Sequence, residues 1–499
     1  MDFLHSAGFA SHVQTLMDQY HVPGLAVAIV QNGSVSSTGF GNASLSPLEP
    51  CTADTVFDIA SSSKSFTAGS VAMLIDDNEN FPEVQYESTM SSLLPDDFVM
   101  SDTEYTRNVT LADVVSHRSG LPSHDFSYMS IRAAHPDDAR SITRNLRNLP
   151  VAAPIRSKYM YCNMMFTVLS YLVEVKSRLS FSDFLEKHIF KPLNMQSTAL
   201  QRSGARAKGV ADRIAMGYFW DEDNSTYVDC PMPESPEAQG AGSIFTSAND
   251  FIKWVQALMD HKGTPINSKM YEGLVELRSF EDPNGKDAAP FKYTSPAFYT
   301  AGMDVYYYKG YVVVSHDGHD NGYGSRFFFL PDMKFGGVIV GNSDGANDMS
   351  PFLAQYMIQQ FLEGNASSLD ALNQNPAEAA AQSEMEQKFD HMRATSTPQE
   401  TPLPTYVGNY SNPGYHEMNV QVKDGKLFID ATDRSMGFTL TFEHVANQTE
   451  YIAHISDWQE GGDDPVKARF VFEGKEVVKM GLDLEEDLDD LIWFVKETK

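Results

Sequence analysis

The stretch from Phe57 to Thr67 constrains this chain more than any other, because it places reactive side chains at the start of a helix. It reads FDIASSSKSFT and leads directly into apolar residues at helical spacing. Ser61 and Lys64 are three positions apart, so a helix that begins here presents both on one face, with the serine at the positive end of the helix dipole. A serine hydroxyl is a weak nucleophile that a neighbouring amine can help to deprotonate. The pattern predicts Ser61 as a nucleophile and Lys64 as part of its activation.

The Ser-x-x-Lys spacing is weak evidence when it stands alone. About one or two matches are expected by chance in a chain of this length, and a lysine in the first turn of a helix is usually a solvated side chain. Support has to come from other motifs along the chain.

Size and charge exclude several classes of function. A chain of 499 residues, of which 42% are hydrophobic, is long enough for two or more domains. The formal net charge of -30 argues against binding to nucleic acid or to an anionic membrane, because phosphate groups repel so acidic a surface. The expected partner is a small molecule or a peptide, and self-association into a homo-oligomer stays open.

The N-terminus and the cysteines indicate the compartment. The first ten residues, MDFLHSAGFA, lack the basic start and the long apolar core of a signal peptide, and no transmembrane-length apolar run is expected. Cys51, Cys162 and Cys230 are odd in number and lack the spacing of a zinc site or a disulfide framework. We therefore expect a cytoplasmic protein with reduced thiols.

The elements around the serine motif indicate an α+β fold. Helical spacing between His12 and Tyr20 is followed by strand-like sequence on both sides of Asn32-Gly33, a pair typical of a tight hairpin turn. Further strand-like runs are predicted late in the first 340 residues. Antiparallel strands together with helices predict the α+β class. The late runs cover residues 299–308, 311–315, 325–330 and 335–340.

Tyr161 and Asn163 lie at the predicted start of another apolar helix. A phenol there can pass on the proton of the nucleophile if a nearby ammonium lowers its pKa, and the asparagine amide can bind a substrate carbonyl. The alternative is a core aromatic residue beside an asparagine near a helix start. His117 is a candidate base at the end of a different predicted helix. It is better explained as a residue that satisfies the last helix carbonyls.

Residues 316–324, HDGHDNGYG, lie between two predicted strands. Glycines such as Gly318 let a substrate lie against the strand edge, where a backbone N–H can donate to an oxyanion and His316 can hydrogen-bond the acyl group. His316, His319 and two aspartates also suggest a metal site. No helical ligand pair such as HExxH supports that alternative, so we expect no metal.

Two segments further along the chain are interpreted as structural. Residues 239–250 combine glycines with Ser247, a good N-cap for the helix that follows. Residues 364–403 are rich in Ala, Gln, Glu, Ser, Thr and Pro and are predicted to be a linker with a short helix. Short alternating runs follow, which predict a small antiparallel barrel or sandwich. The predicted domains are therefore 1–363 and 404–499, joined by this linker.

Three short motifs occur in the order that is characteristic of one family, and together they resemble the serine β-lactamase-like superfamily in its class C-like branch. That branch contains class C β-lactamases, D-alanyl-D-alanine carboxypeptidases, D-aminopeptidases, carboxylesterases and the statin side-chain acyltransferases. The likeness covers roughly residues 5–362, and PTYVGNY at 404–410 resembles the start of the lipocalin-like domain of some relatives. The three motifs are Ser61-x-x-Lys64, Tyr161-x-Asn163 and His316-x-Gly318.

The resemblance implies a β-lactamase/transpeptidase-like domain, with an antiparallel sheet, flanking helices and a helical lobe, followed by a small antiparallel β-barrel. It also implies that Ser61 forms an acyl-enzyme, that Lys64 and Tyr161 handle its proton, and that Asn163 holds the substrate. The oxyanion hole would be the N–H of Ser61 and a strand N–H near His319. Such a mechanism needs no cofactor.

The third motif departs from the family pattern. Penicillin-recognising members carry Lys-Thr-Gly there, and its cation helps to bind the substrate carboxylate. A mostly neutral imidazole at His316 is a poorer anchor for a carboxylate than an ammonium. We therefore do not expect β-lactam hydrolysis as the main activity, and we predict that His316, Gly318 and His319 contact a different substrate. Tyrosines around His316 suggest a pocket for a neutral or apolar acyl group, although strand aromatics most often pack within the sheet. They are Tyr306, Tyr307, Tyr308, Tyr311 and Tyr323.

The expected function is that of a serine hydrolase acting through an acyl-enzyme on an ester or amide of a small molecule or peptide. Two alternatives stay open. The first is an acyltransferase that moves an acyl group to an alcohol or amine. The second, from another class, is a binding protein that keeps the fold without the chemistry, which the retained reactive side chains disfavour.

Overall fold

The computed structural model describes residues 2–231, 233–282, 291–364, 387, 389–394 and 396–497. Its strands form a large antiparallel sheet in the N-terminal part and a closed barrel in the C-terminal part. The predicted α+β class with a C-terminal barrel is confirmed. The strands of the N-terminal part are β1 (Gly24–Gln31), β2 (Ser34–Leu45), β3 (Leu48–Pro50), β4 (Val56–Asp58), β5 (Ala199–Leu200), β6 (Tyr218–Asp221), β7 (Thr226–Asp229), β8 (Ile244–Ser247), β9 (Ser279–Phe280), β10 (Phe298–Tyr299), β11 (Asp304–Tyr308), β12 (Tyr311–Asp320), β13 (Tyr323–Leu330) and β14 (Phe335–Gly341).

The large sheet has nine strands in the order β3-β2-β1-β14-β13-β12-β11-β10-β9. The β1–β2 hairpin turns at Asn32 and Gly33, whose φ angles of 49° and 82° suit the tight turn that the sequence predicts. The third motif does not lie in a loop between strands. Residues 316–320 belong to β12, which turns at Asn321 and Gly322 into β13.

Helices cover both faces of this sheet. Alternate residues of β1 point to opposite faces, so that Val27 packs with α1 and α12 while its neighbour Ala28 joins the larger core around α2, α7 and α10. No helix in the described ranges has the length and apolar character needed to cross a membrane. The α-helices are α1 (Ala7–Gln19), α2 (Lys64–Asp76), α3 (Met90–Leu93), α4 (Thr103–Asn108), α5 (Leu111–Val115), α6 (Ala139–Asn145), α7 (Asn163–Ser177), α8 (Phe181–Leu185), α9 (Gln201–Ala207), α10 (Ala248–Asp260), α11 (Ser268–Val275) and α12 (Gly345–Glu363).

The C-terminal strands close into a barrel rather than a sandwich. Each strand pairs with the next in sequence, and the first pairs with the last through Tyr410 and Lys496. Alternate residues such as Met418 and Val420 are buried inside, with polar neighbours outside. The strands are β15 (Gly408–Asn412), β16 (His416–Lys423), β17 (Lys426–Ala431), β18 (Phe438–Ala446), β19 (Glu450–Asp457), β20 (Gly461–Glu473), β21 (Glu476–Leu482) and β22 (Ile492–Lys496).

Most of the predicted linker at 364–403 lies outside the described residues, which resume fully only at 396. Residues 389–394 are helical, and Phe389 packs against Val445 and Ile452 of the barrel. The predicted domain boundaries therefore stay a prediction.

The barrel packs directly on the N-terminal part. The His124 ring lies 2.7 Å from the Tyr415 hydroxyl, and Glu485 accepts hydrogen bonds from the Ser123 hydroxyl and from the His124 backbone N–H. The Arg434 side chain is buried in this contact region at 1% exposure. The contact brings two barrel turns to the edge of the cleft described below.

Candidate active site

Ser61 lies on a tight turn between β4 and α2. A short 3-10 helix, Ala60–Ser63, leads into α2, and Ala60 has a φ of 44°, in the left-handed region that is costly for a residue with a Cβ. The buried Asp58 carboxylate accepts a hydrogen bond from the Ala60 N–H at 2.8 Å. This bond holds the strained turn and leaves Ser61 half-buried at the wall of a cleft.

Lys64 is buried beneath the serine. Its Nζ donates to Ser61 Oγ at 2.9 Å, to Asn163 Oδ1 at 2.7 Å and to the Ala241 carbonyl at 2.9 Å. Burial lowers the pKa of Lys64 to about 7, although the nearby carboxylate of Asp125 acts in the opposite direction. A substantial fraction of Lys64 is therefore a neutral amine near pH 7.

Tyr161 completes a group of three around the nucleophile. Its hydroxyl hydrogen-bonds Ser61, and the Lys64 Nζ lies 4.8 Å from the centre of its ring. The sequence makes a proton-shuttle role for this phenol conditional on a nearby ammonium that lowers its pKa. Burial instead raises the pKa of Tyr161, against the effect of the Ser61 hydrogen bond, so the residue is a neutral phenol.

Asn163 is the first residue of α7 and faces Lys64. Its Oδ1 accepts from Lys64, and its Nδ2 lies 3.4 Å from both carboxylate oxygens of Asp125. Burial raises the pKa of Asp125 to about 6, while the Asn163 hydrogen bond and the charge of Lys64 oppose that shift. Sequence reasoning missed Asp125, because it is a single acidic residue in a short 3-10 helix, Asp125–Ser127, with no motif around it.

His117 packs against the Tyr161 segment. It follows α5, but its ring does not bond the last helix carbonyls. Its Nδ1 accepts from the Cys162 backbone N–H at 3.1 Å, and its ring centre lies 4.3 Å from that of Tyr161. Burial lowers the pKa of His117 well below its usual value, so the ring is neutral and holds the Tyr161 segment in place.

The predicted substrate-contacting residues of β12 occupy different positions. His316 is buried, and its ring nitrogens lie 2.8 Å from the Tyr299 hydroxyl and 2.5 Å from the Asp317 carbonyl. Burial lowers its pKa to about 3, and its side chain does not line the cleft. His319 does line the cleft, and a hydrogen bond to Asp344 raises its pKa.

The metal-site alternative can be compared with the described part of the chain. Within those residues, no set of three or more His, Cys, Asp or Glu side chains is arranged to hold a metal ion. His319 instead pairs with Asp344 at 3.3 Å.

Gly318→Ala is expected to lower both stability and turnover. A Cβ at this position would overlap the Ile59 carbonyl oxygen and Ser325 Oγ, so the backbone just before Ser61 would have to move. We expect a loss of about 1–3 kcal/mol in the free energy of unfolding, measured by denaturant unfolding. Gly263→Ala is the control, since a Cβ added there would meet no atom within 4 Å beyond its chain neighbours. Wild-type turnover by Gly318→Ala would contradict the argument that the site needs a glycine this close to the Ile59 carbonyl.

The cleft beside Ser61 has a volume of about 840 Å³, including its opening to solvent. Segment 239–250 is not purely structural, because Ala241 and Gly242 line the cleft. None of the five tyrosines around His316 lines it: Tyr308 and Tyr323 are buried in the core, whereas Tyr307 and Tyr311 are exposed. The barrel supplies part of the wall, which the sequence did not indicate. The barrel residues at the cleft are Ser435, Met436, Asp457, Trp458 and Gln459.

A serine paired with a buried lysine and a tyrosine, at the start of a helix that packs on an antiparallel sheet, defines the serine hydrolases of the β-lactamase/transpeptidase fold. A family model described as Beta-lactamase matches residues 9–360. Because this match covers most of the chain, the protein belongs to that family, as the motifs predict. A second model, described as a domain of unknown function (DUF3471), matches residues 392–496 and so covers the barrel.

Individual relatives support the assignment. The chain is 31% identical over 451 residues to the unguisins hydrolase of Aspergillus campestris, a match that covers 88% of this chain and 82% of the relative. It is 26% identical over 347 residues to the D-aminopeptidase of Brucella anthropi, covering 68% of this chain and 60% of the relative. Among solved structures, the octameric penicillin-binding protein homologue from Pyrococcus abyssi matches with a TM-score of 0.60 and 18% identity, covering 98% and 99% of the two chains. That identity shows a shared fold alone.

Proposed function

We propose that this protein hydrolyses an amide bond of a peptide or amino-acid derivative through an acyl-enzyme on Ser61. The observation that carries the proposal is the buried Lys64 amine, which lies 2.9 Å from Ser61 Oγ and has a pKa of about 7. A base whose pKa is close to the working pH is well suited to take the proton of a serine hydroxyl.

The steps follow from these contacts. The neutral Lys64 amine takes the Ser61 proton, and Ser61 Oγ attacks the carbonyl carbon to form a tetrahedral intermediate. The backbone N–H groups of Ser61 and of the strand near His319 are the expected oxyanion donors. The C–N bond breaks, and the leaving amine takes a proton from Lys64 through the neutral Tyr161 hydroxyl. A water molecule then gives a proton to Lys64 and attacks the acyl ester. As this second tetrahedral intermediate collapses, Ser61 Oγ leaves and takes that proton from Lys64, which releases the acid and restores both residues.

The environment of the third motif argues against a substrate anchored by its carboxylate. His316 is neutral because burial lowers its pKa, and both of its ring nitrogens are engaged. The acidic residues Asp125, Glu237 and Asp320 line the cleft instead. A substrate carboxylate would meet like charges there. The name of one relative, a D-aminopeptidase, favours a peptide amide over a β-lactam.

The experiment compares an amino-acid p-nitroanilide, a short-chain p-nitrophenyl ester and a cephalosporin on one preparation. We expect turnover of the amide and the ester, and a kcat/KM for the cephalosporin at least about 100-fold lower because of charge repulsion. Each assay is repeated with an added alcohol or amine, and products are identified by mass. Transfer of the acyl group to the acceptor in preference to water would identify an acyltransferase. If the cephalosporin were turned over fastest, the argument that a neutral His316 disfavours a carboxylate substrate would be wrong.

A further inference from the structure

Two turns of the barrel, at residues 432–436 and 457–459, form one wall of the cleft. The N-terminal part holds both turns in place. The Arg132 guanidinium donates to the carbonyls of Thr432 and Arg434 at 2.7 Å and 2.6 Å. The same guanidinium lies 4.1 Å from the centre of the Trp458 ring, in the second turn. One arginine therefore holds both turns in place, so the wall is a fixed part of the cleft.

Glu237 lies where this wall meets the N-terminal part. This residue lines the cleft although its exposure is only 1%. Oε1 accepts a hydrogen bond from the Ser435 hydroxyl of the barrel at 2.7 Å, whereas Oε2 has no hydrogen-bond partner among the described residues. A buried carboxyl oxygen without a donor is costly, so this position favours a ligand that supplies one. Burial also raises the pKa of Glu237 to about 7, a shift that a bound cation would reverse.

The other groups around the cleft indicate the charge of that ligand. Asp125, Asp320 and Asp457 line the same space. Among the described residues no lysine or arginine lines it, and the basic side chain that does, His319, is paired with Asp344. Asp457 already accepts from the backbone N–H groups of the turn that contains it, so it is not the unsatisfied group. The apolar part of the barrel wall consists of Met436 and Trp458, whose exposures are 48% and 37%.

We propose that the cleft binds an amino-acid residue with a free, protonated α-amine, with Glu237 Oε2 accepting from the ammonium and with Met436 and Trp458 contacting an apolar side chain. This inference rests on the proposed amide hydrolysis and narrows it to substrates with a free amino end. The barrel then determines specificity, because Ser435 holds Glu237 and the adjacent turn provides the apolar surface.

The test uses the D- and L-leucine p-nitroanilides and their N-acetyl forms, assayed with the full-length wild type and Glu237→Gln. We expect Glu237→Gln to lower kcat/KM for the free amine by about 10- to 100-fold, the range for a hydrogen bond to a charged group. The N-acetyl forms lack the ammonium and should change by less than about twofold. Glu234→Gln is the matched control, because Glu234 bonds Ser203 and does not line the cleft.

A second variant tests the apolar contact. Trp458→Ala should lower kcat/KM for the leucine substrate about 10-fold more than for the alanine p-nitroanilide, whereas Trp458→Phe should keep the preference. Equal losses for leucine and alanine would overturn the assignment of the barrel wall.

Labelling of Ser61 by a fluorophosphonate separates this inference from the proposed function, since the probe carries no amine. No labelling would count against the acyl-enzyme itself. Normal labelling of every variant, together with equal effects of Glu237→Gln on free and acetylated substrates, would overturn the ammonium site alone. Normal labelling without hydrolysis of either free leucine p-nitroanilide would overturn it as well.

Discussion

Ser61→Ala is expected to abolish hydrolysis while leaving the fold intact, with kcat lowered by at least about 10⁴-fold. The serine oxygen is the atom that attacks the substrate, and alanine offers no replacement. Within the structure the change removes the contacts of one half-buried hydroxyl with Lys64 and Tyr161. The melting temperature should therefore stay within about 3 °C of the wild type. Turnover and thermal unfolding are measured on the same preparation.

The matched control is Ser235→Ala, which removes another serine hydroxyl from the cleft. Ser235 Oγ lies 2.8 Å from Ser243 Oγ, whereas Lys64 Nζ donates to Ser61, Asn163 and Ala241. Intact mass after treatment with a fluorophosphonate should show one adduct on the wild type and on Ser235→Ala, and none on Ser61→Ala. An adduct that persists in Ser61→Ala would place the nucleophile elsewhere.

Lys64→Met and Lys64→Arg are both expected to lower kcat/KM by about 10²- to 10⁴-fold, the usual contribution of a general base. Methionine has similar length but no amine. Arginine keeps a positive charge yet cannot lose its proton at neutral pH. Similar losses in the two variants would show that deprotonation of Lys64 matters and not its charge. Activity retained by Lys64→Arg would contradict the role of Lys64 as base.

The pH profile of the wild type provides an independent readout of the same prediction. Only the neutral amine can take a proton, and burial lowers the pKa of Lys64 to about 7. With a neutral substrate ester, kcat/KM should rise about tenfold per pH unit below that pKa and level off above it. Profiles are compared for the wild type and Tyr161→Phe. A rate that falls as pH rises from 6 to 8 would exclude a neutral Lys64 as the base.

Much of the fold could be predicted from local sequence patterns. The Asn32-Gly33 pair forms the expected turn, and Ser247 accepts from the Asp250 N–H as the expected N-cap of α10. These features depend on residues within a few positions of one another, so short-range sterics and hydrogen bonding determine them. The boundary of β12 was missed because the glycine at 318, which usually interrupts a strand, here permits close approach of β12 to Ile59.

The candidate site was predicted in part. The motifs identified Ser61, Lys64, Tyr161 and Asn163, and the structure brings these four together. The functions assigned to them stay predictions for the experiments above. Asp125 and Glu237, as well as the barrel wall, could not be found from the sequence. They come from segments far apart in the chain, and none carries a motif.

Sequence patterns alone are enough to predict the family, the antiparallel sheet with its helices, and the presence of a serine and a lysine on one helical turn. These features follow from the spacing of motif residues and from the alternation of apolar and polar residues. Such patterns depend only on the local geometry of helices and strands. Three properties of the site follow from the folded chain and not from these patterns: Lys64 is buried with a pKa near 7, Tyr161 is a neutral phenol, and the cleft is acidic. Desolvation and Coulomb interactions depend on every group within several ångströms, and folding, not sequence spacing, brings those groups together.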